Sequence, residues 1–278
     1  MAAMAHDDDP TGRRPDRRPT MPMSRRRRAE LGYRPDNAAR LLASSRSKVL
    51  GVMLTLRNPF HADMAEAIYL EAERLGYDVV LSGTAPTRDE ERVVDALLGH
   101  RCEALILLGP KTSPEYLADL ATRLPVVVVS RRVPNAPLDS VHTAEAKGIR
   151  QAIDYLVAQG HRDIVHIDGG SGPGSAERRK AYRAAMGRHG LAGHARVIPG
   201  DQTEASGVEA ARSLVAAESL PTAVMAANDR CALGLLDALN KAAVKVPEEL
   251  SVVGYDDSLI VKLSHIALMT VHQDAGGS

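Results

Sequence analysis

Several polar residues in this chain directly follow apolar runs, which is where a side chain can meet a small molecule. They are Ser130-Arg131 after PVVVV, Asn228-Asp229 after TAVMAA, Asp256-Asp257 after SVVGY, and Arg178 beyond the glycine-rich GGSGPGS of 169–175. Ionised carboxylates are pure acceptors, so a pair of them at a cleft mouth can take the paired hydroxyls of a sugar. Asn228-Asp229 also has the residue types of a helix N-cap, and capping is compatible with ligand contact. Arg178 falls in the first turn of a helix, where a cation opposes the macrodipole; that cost points to a ligand, although Arg179 and Lys180 beside it suit a solvated basic face. Phe60, the single phenylalanine, follows Arg57-Asn58-Pro59 and is able to stack on a sugar face or to pack in a core. His61 next to it is able to contact a ligand but reads better as a first-turn surface residue.

Covalent and metal chemistry find little support. The chain has no H-E-x-x-H, G-x-S-x-G or C-x-x-C, and its ten histidines are scattered. The glycine loop departs from a dinucleotide fingerprint: from Gly170 it runs G-x-G-x-G with Ser175 sixth, and Pro173 removes a backbone donor. No metal and no cofactor are expected. Two cysteines, Cys102 and Cys231, give no disulfide framework. Net charge is zero but segregated, with arginines at 13, 14, 17, 18, 25–28 and 34 against aspartates at 7, 8, 9 and 16. Such an arm fits nucleic-acid contact, and fits an unstructured leader better. Asp and Arg stand where a signal peptide needs an apolar stretch, and no run approaches the ~18 apolar residues of a membrane span. A soluble, cytoplasmic protein without membrane contact is the expectation.

The elements that must position these residues alternate. From residue 49, strand runs VLGVMLTL (49–56), YDVVLSG (77–83), ALILLG (104–109), PVVVVS (125–130), DIVHIDG (163–169), ARVIPG (195–200), TAVMAAN (222–228) and LSVVGYDD (250–257) are separated by amphipathic helical stretches. In the first of these, Met64, Ile68, Glu71 and Leu75 share one face and Gly76 ends the helix. The series pauses at RRVPNAPLDSVHT (131–143), before a new helix at Glu145. That pause marks a lobe boundary. Two lobes of four βα units each direct the C-terminal strand ends, and with them the polar residues above, into a common cleft.

Ahead of the first strand, LGYRPDNAARLLASSRS (31–47) reads as a hinge. Arg34-Pro35 is extended, Asp36 or Asn37 can cap, and Ala38–Ala43 forms helix strongly over less than two turns. Isolated helices shorter than about 12–15 residues are marginal in water, so this one needs a second copy of itself or nucleic acid to hold it.

In order along the chain, AELGYRPDNAARLLA, NPFHADMAEAI, DYLVAQGHRDI (154–164), AANDRCALGLLDAL (226–239), VPEELSVVGYDDS (246–258) and LMTVHQD (268–274) resemble the LacI/GalR family of bacterial transcription regulators over roughly residues 29–274. The resemblance implies an α/β, two-lobed, periplasmic-binding-protein-like fold with parallel sheets behind a short hinge helix. Its divisions would be an Arg/Pro-rich arm (1–28), headpiece remnant and hinge (29–48), a first effector-binding lobe (49–143, with 270–278 returning to it) and a second (144–269). It implies effector contacts at Phe60, Arg178, Asn228, Asp256 and Gln273, and places Ser130 or Arg131 where many relatives hold a sugar-binding aspartate. That exchange loses an acceptor and gains a cation, which favours an anionic or modified ligand. On the DNA side it implies Leu42 as a minor-groove wedge, with Tyr33, Arg34 and Asn37 in the same segment; an apolar wedge kinks the duplex at a cost of a few kcal/mol. The family's helix-turn-helix pattern is absent from residues 1–28, and the family continues beyond VHQDAGG, so truncation at both ends is expected. The implied protein is a homodimeric, non-enzymatic repressor controlled by a sugar or sugar derivative. The rivals are a sugar-binding protein without DNA binding and a sugar-processing or nucleotide-dependent enzyme.

Overall fold

A computed structural model describes residues 46–263 and 266–273. Apolar β-branched runs form two all-parallel sheets, the connectivity expected when each strand is followed by a crossover helix. The first sheet has the order β2-β1-β3-β4-β5, from β1 (Val49–Thr55), β2 (Asp78–Thr84), β3 (Ala104–Leu108), β4 (Val126–Val129) and β5 (Asp139–Val141). Its helices are α1 (Pro59–Arg74), α2 (Glu90–Gly99) and α3 (Pro114–Arg123). The second sheet has the order β10-β9-β8-β6-β7, from β6 (Ile164–Ile167), β7 (Arg196–Ile198), β8 (Ala223–Met225), β9 (Ser251–Asp256) and β10 (Met269–His272). Around it pack α4 (Glu145–Ala158), α5 (Ser175–Arg188), α6 (Glu204–Val215) and α7 (Asp229–Lys241).

Residue alternation along the strands feeds two cores per sheet. In the second lobe, Ile164, Met225 and Tyr255 face Ile149, Ile153 and Tyr182 of α4 and α5, while Val165, Val224 and Val252 face Leu214, Leu235 and Leu239 of α6 and α7. α6 and α7 approach so closely that a Cβ on Gly234 would lie 1.9 Å from the Glu204 carbonyl oxygen, and one on Gly207 2.0 Å from that of Cys231. In the first lobe, Met53, Leu105 and Leu107 pack under α2 and α3, and a smaller cluster of Val52, Leu108, Phe60 and Met64 lies under α1.

The structure departs from the sequence reading in several places. β5 lies inside the segment read as a pause; its three residues DSV form a half-exposed edge strand, too short and polar to carry a pattern. Met269–His272 pairs in parallel with Val253–Asp256, so residues 270–272 extend the second lobe's sheet rather than returning to the first; 274–278 lie outside the described residues. Leu75 is 58% exposed, because the helix closes at Arg74 and the chain reverses at Gly76, whose φ of +75° suits glycine. The arm and most of the hinge, including Tyr33, Arg34, Asn37 and Leu42, lie outside the described residues. Among the described residues no helix is long and apolar enough to cross a membrane, and Cys102 and Cys231 are free thiols in different lobes.

Candidate functional site

The chain turns sharply at the C-terminal ends of four strands. Gly109 after β3, Ser130 after β4, Gly170 after β6, and Asp256-Asp257 at the end of β9 all have positive φ, between +54° and +120°. For Ser130, Asp256 and Asp257 this conformation costs of order 1–3 kcal/mol each, and strain of that kind concentrates where ligands are held. The turns of the two lobes meet. A Cβ on Gly109 would lie 2.8 Å from Cγ of Pro173, in the loop leading to α5, and 3.6 Å from Nε2 of His61.

Beneath this junction Arg178 is the centre of a buried cluster. Its Nε donates to Glu145 at 2.9 Å, its Nη1 donates to the Ala227 carbonyl at 2.6 Å, and its guanidinium lies 4.0 Å from the centroid of the Tyr255 ring. The Glu145 carboxylate also accepts from Thr143 at 2.8 Å. Burial pushes the Asp256 carboxyl up to about 7, against the pull of Arg178, and Gln273 donates its amide to that carboxyl at 2.5 Å. Asn228 caps α7 through a 2.9 Å bond from the Cys231 amide and donates to the Gln202 carbonyl at 3.3 Å. Its neighbour Asp229 accepts from the amide and hydroxyl of Ser258 and from Thr270, tying α7 to β10 and the end of β9. His61 is buried rather than at the surface. Its Nδ1 accepts from the Thr55 amide at 2.9 Å, which requires a neutral ring, and burial with help from Arg230 pulls its pKa down to about 4.

Two cavities open on either side of the cluster. One, of about 830 Å³, is bounded by Phe60, Met64 and Ser130 of the first lobe and by Tyr155, Tyr255 and Gln273 of the second. The other, of about 760 Å³, is bounded by Lys111, Ser130 and Arg131 of the first lobe and by the start of α4 and the 170–177 loop of the second. The residues singled out from sequence therefore divide into three sets: Phe60, Ser130 and Gln273 around the first cavity; Ser130 and Arg131 at the second; and Arg178, Asn228 and Asp256 in the buried cluster. Nε and Nη1 of Arg178 are met from within, so a helix-dipole cost is no longer needed to explain its place there. Arg131 donates to the carbonyls of Pro110 and Thr112 at 3.0 and 2.6 Å. Sequence reasoning missed Glu145 and Tyr255. Glu145 looks like an ordinary first-turn acid, and nothing local indicates a partner 33 residues away.

The model of a periplasmic binding protein-like domain matches residues 153–277. Across 251 residues the chain is 31% identical to the HTH-type transcriptional regulator AscG of Escherichia coli, covering 87% of this chain and 74% of that protein. The chain belongs to the LacI family of transcription regulators. A crystal structure of a LacI transcriptional regulator from a Rhodococcus species superposes with a TM-score of 0.80 at 46% identity, covering 82% of this chain and 85% of that one. A LacI family regulator from Lactobacillus casei, solved with bound sucrose, superposes at 0.68 with 31% identity over 82% of this chain and 86% of that one. The LacI-family fold thus accounts for the two parallel sheets and for strand ends that converge between them.

Proposed function

We propose that the protein is a cytoplasmic, homodimeric transcription regulator, most simply a repressor, whose affinity for operator DNA is set by a sugar or sugar derivative bound between its lobes. One observation carries the reading: polar side chains from the strand ends of two parallel sheets border shared cavities over a buried Arg178–Glu145–Asp256 cluster. Ligands of open α/β sheets bind outside such strand ends. Membership of the LacI family and the sucrose held by the L. casei relative support the ligand class.

In the mechanism, Phe60 offers an aromatic face, Asn228 and Gln273 offer amides, and Asp256 with Ser130 offers hydroxyl partners. A ligand bridging the lobes selects the closed arrangement in which Pro173 lies against Gly109. The segment ahead of β1 that the sequence reads as a hinge, with Leu42 as its DNA contact, would report that arrangement to the operator. Coupling of 1–3 kcal/mol corresponds to a change of about 5–150-fold in operator affinity.

The test is fluorescence anisotropy of labelled palindromic duplexes with the 278-residue chain, with and without a panel of monosaccharides and disaccharides. A sugar-dependent change in affinity in that range is expected, with Leu42→Ala weakening palindromic binding more than random binding. Sugar-dependent thermal stabilisation without any duplex binding would instead make this a sugar-binding protein that does not act at DNA.

A further inference from the structure

We infer that the second cavity holds the phosphate group of the effector, so that the ligand is a sugar phosphate monoester rather than a neutral sugar. The inference deepens the effector reading above and rests on it.

The cavity draws cations from both lobes. Lys111 comes from the turn after β3, Arg131 and Arg132 from the turn after β4, and Lys147 and Arg150 from one face of α4. Two acids also border it, Glu145 and Glu177, and Glu145 is already committed to Arg178 and Thr143. The hydrogen bonds of the two arginines after β4 involve no carboxylate: Arg131 bonds backbone carbonyls, and Arg132 approaches Nε2 of His142 at 2.8 Å. Lys111 is drawn to the Asp201 carboxylate, whose pKa it helps to lower, and Glu177 also borders the site, so Arg131, Arg132, Lys147 and Arg150 leave an excess of positive charge in a concave site of about 760 Å³ that both lobes enclose. Clefts lined by one sign of charge concentrate the opposite sign.

The backbone around the cavity points the same way. α1, α2, α3, α6 and α7 each have a side-chain N-cap, from Asn58, Asp89, Ser113, Thr203 and Asn228. α4 and α5, the two helices whose first turns border this cavity, have none, their N-cap residues being Ala144 and Gly174. The Lys147 and Ser175 amides donate to the carbonyls of Ala144 and Gly172, and the remaining first-turn amides lack the side-chain oxygen that serves the other five helices, a need that phosphate oxygens match. Gly174 also closes directly over the buried pair: a Cβ there would lie 2.6 Å from Oε1 of Glu145 and 3.1 Å from Nη2 of Arg178. Ser130 borders both cavities, so a sugar ring in the first and a phosphate in the second fit one molecule spanning them. A dianionic phosphate answers this excess of cations better than a single carboxylate does.

Isothermal titration of the full chain separates the possibilities, using glucose, ribose, glucose 6-phosphate, ribose 5-phosphate, glucuronate and inorganic phosphate. Lys147 and Arg150 are exposed on α4, so the double variant Lys147→Glu/Arg150→Glu should fold and melt like the parent. At least one phosphate ester is expected to bind more tightly than its parent sugar, to weaken roughly tenfold or more in the double variant, and to weaken as salt rises. Arg132→Gln, also exposed, should lower phosphate-ester affinity in the same direction and by a larger factor than any parent-sugar affinity. Equal binding of glucose and glucose 6-phosphate, or of glucuronate and glucose 6-phosphate, would overturn the phosphate assignment and leave the effector cleft standing. Phosphate-ester binding that survives the double variant undiminished would overturn it as well. Binding of none of the probes would remove both readings.

Discussion

The two lobes share one plan and complete it differently. In the second, the sheet has two helices on each face, α4 with α5 and α6 with α7, and the strands β6 and β8 are buried along their whole length. In the first, among the described residues, α2 and α3 cover one face and α1 covers the other, where the buried cluster shrinks to Val52, Phe60, Met64 and Leu108. Leu70 on α1 is 69% exposed and Val141 at the edge of β5 is 58% exposed, beside the larger cavity. A parallel sheet with one lightly covered face has less apolar burial holding its strands, so the first lobe should open more readily.

The comparison can be broken most forcefully at the cluster where the lobes meet. Glu145→Ala leaves the buried Arg178 cation without its carboxylate and should destabilise the second lobe by about 3–5 kcal/mol in urea unfolding. A loss near zero would mean that water already reaches Arg178. Next, Leu235→Ala, fully buried between α7 and its sheet, should cost about 2–5 kcal/mol, and Met64→Ala on the buried face of α1 should fall at or below the bottom of that range. Equal losses would erase the difference between the lobes.

A smaller effect lies in the pH dependence, where histidines and a carboxyl oppose each other. His61 in the first lobe and His166 in the second are held down to about 4, from an ordinary 6.5, chiefly by burial. Unfolded histidine binds the proton first, so their contribution to stability is intact above pH 6.5 and lost as pH falls toward 4. Asp256 runs the other way. Its carboxyl rises from 3.8 to about 7, so its contribution is intact below pH 3.8 and lost as pH climbs to about 7. Asp256→Asn should therefore steepen the acid loss of stability between pH 6.5 and 4, and His166→Asn should flatten it; melting curves across that range check both signs. Least of all, Leu70→Ser on the exposed face of α1 should change stability by no more than about 0.5 kcal/mol, unless that face is covered in solution.

Much of this was legible in the chain. The eight strand runs, the helix beginning at Glu145, and the concentration of polar residues at strand ends follow from apolar periodicity and from Gly, Pro and Asn punctuation, which act locally. β5 and β10 were not legible as strands of their sheets, because three- and four-residue edge strands with half-exposed side chains carry no periodic signal. His61 was misread for a related reason: a polar residue in a first helical turn looks solvated until the strand amide it accepts from is known.

By itself the sequence determined the two-lobed α/β architecture with parallel sheets, the resemblance to the family, and the strand ends at which polar residues gather, since each depends on patterns a few residues long. Only the tertiary structure decided that Arg178 is satisfied by Glu145, Ala227 and Tyr255, and that Asp256 is buried against Gln273. It alone brought Lys111 and Arg131 of one lobe beside Lys147 and Arg150 of the other. Those pairings join residues far apart in the chain, and their energies depend on burial and distance, which no local pattern encodes.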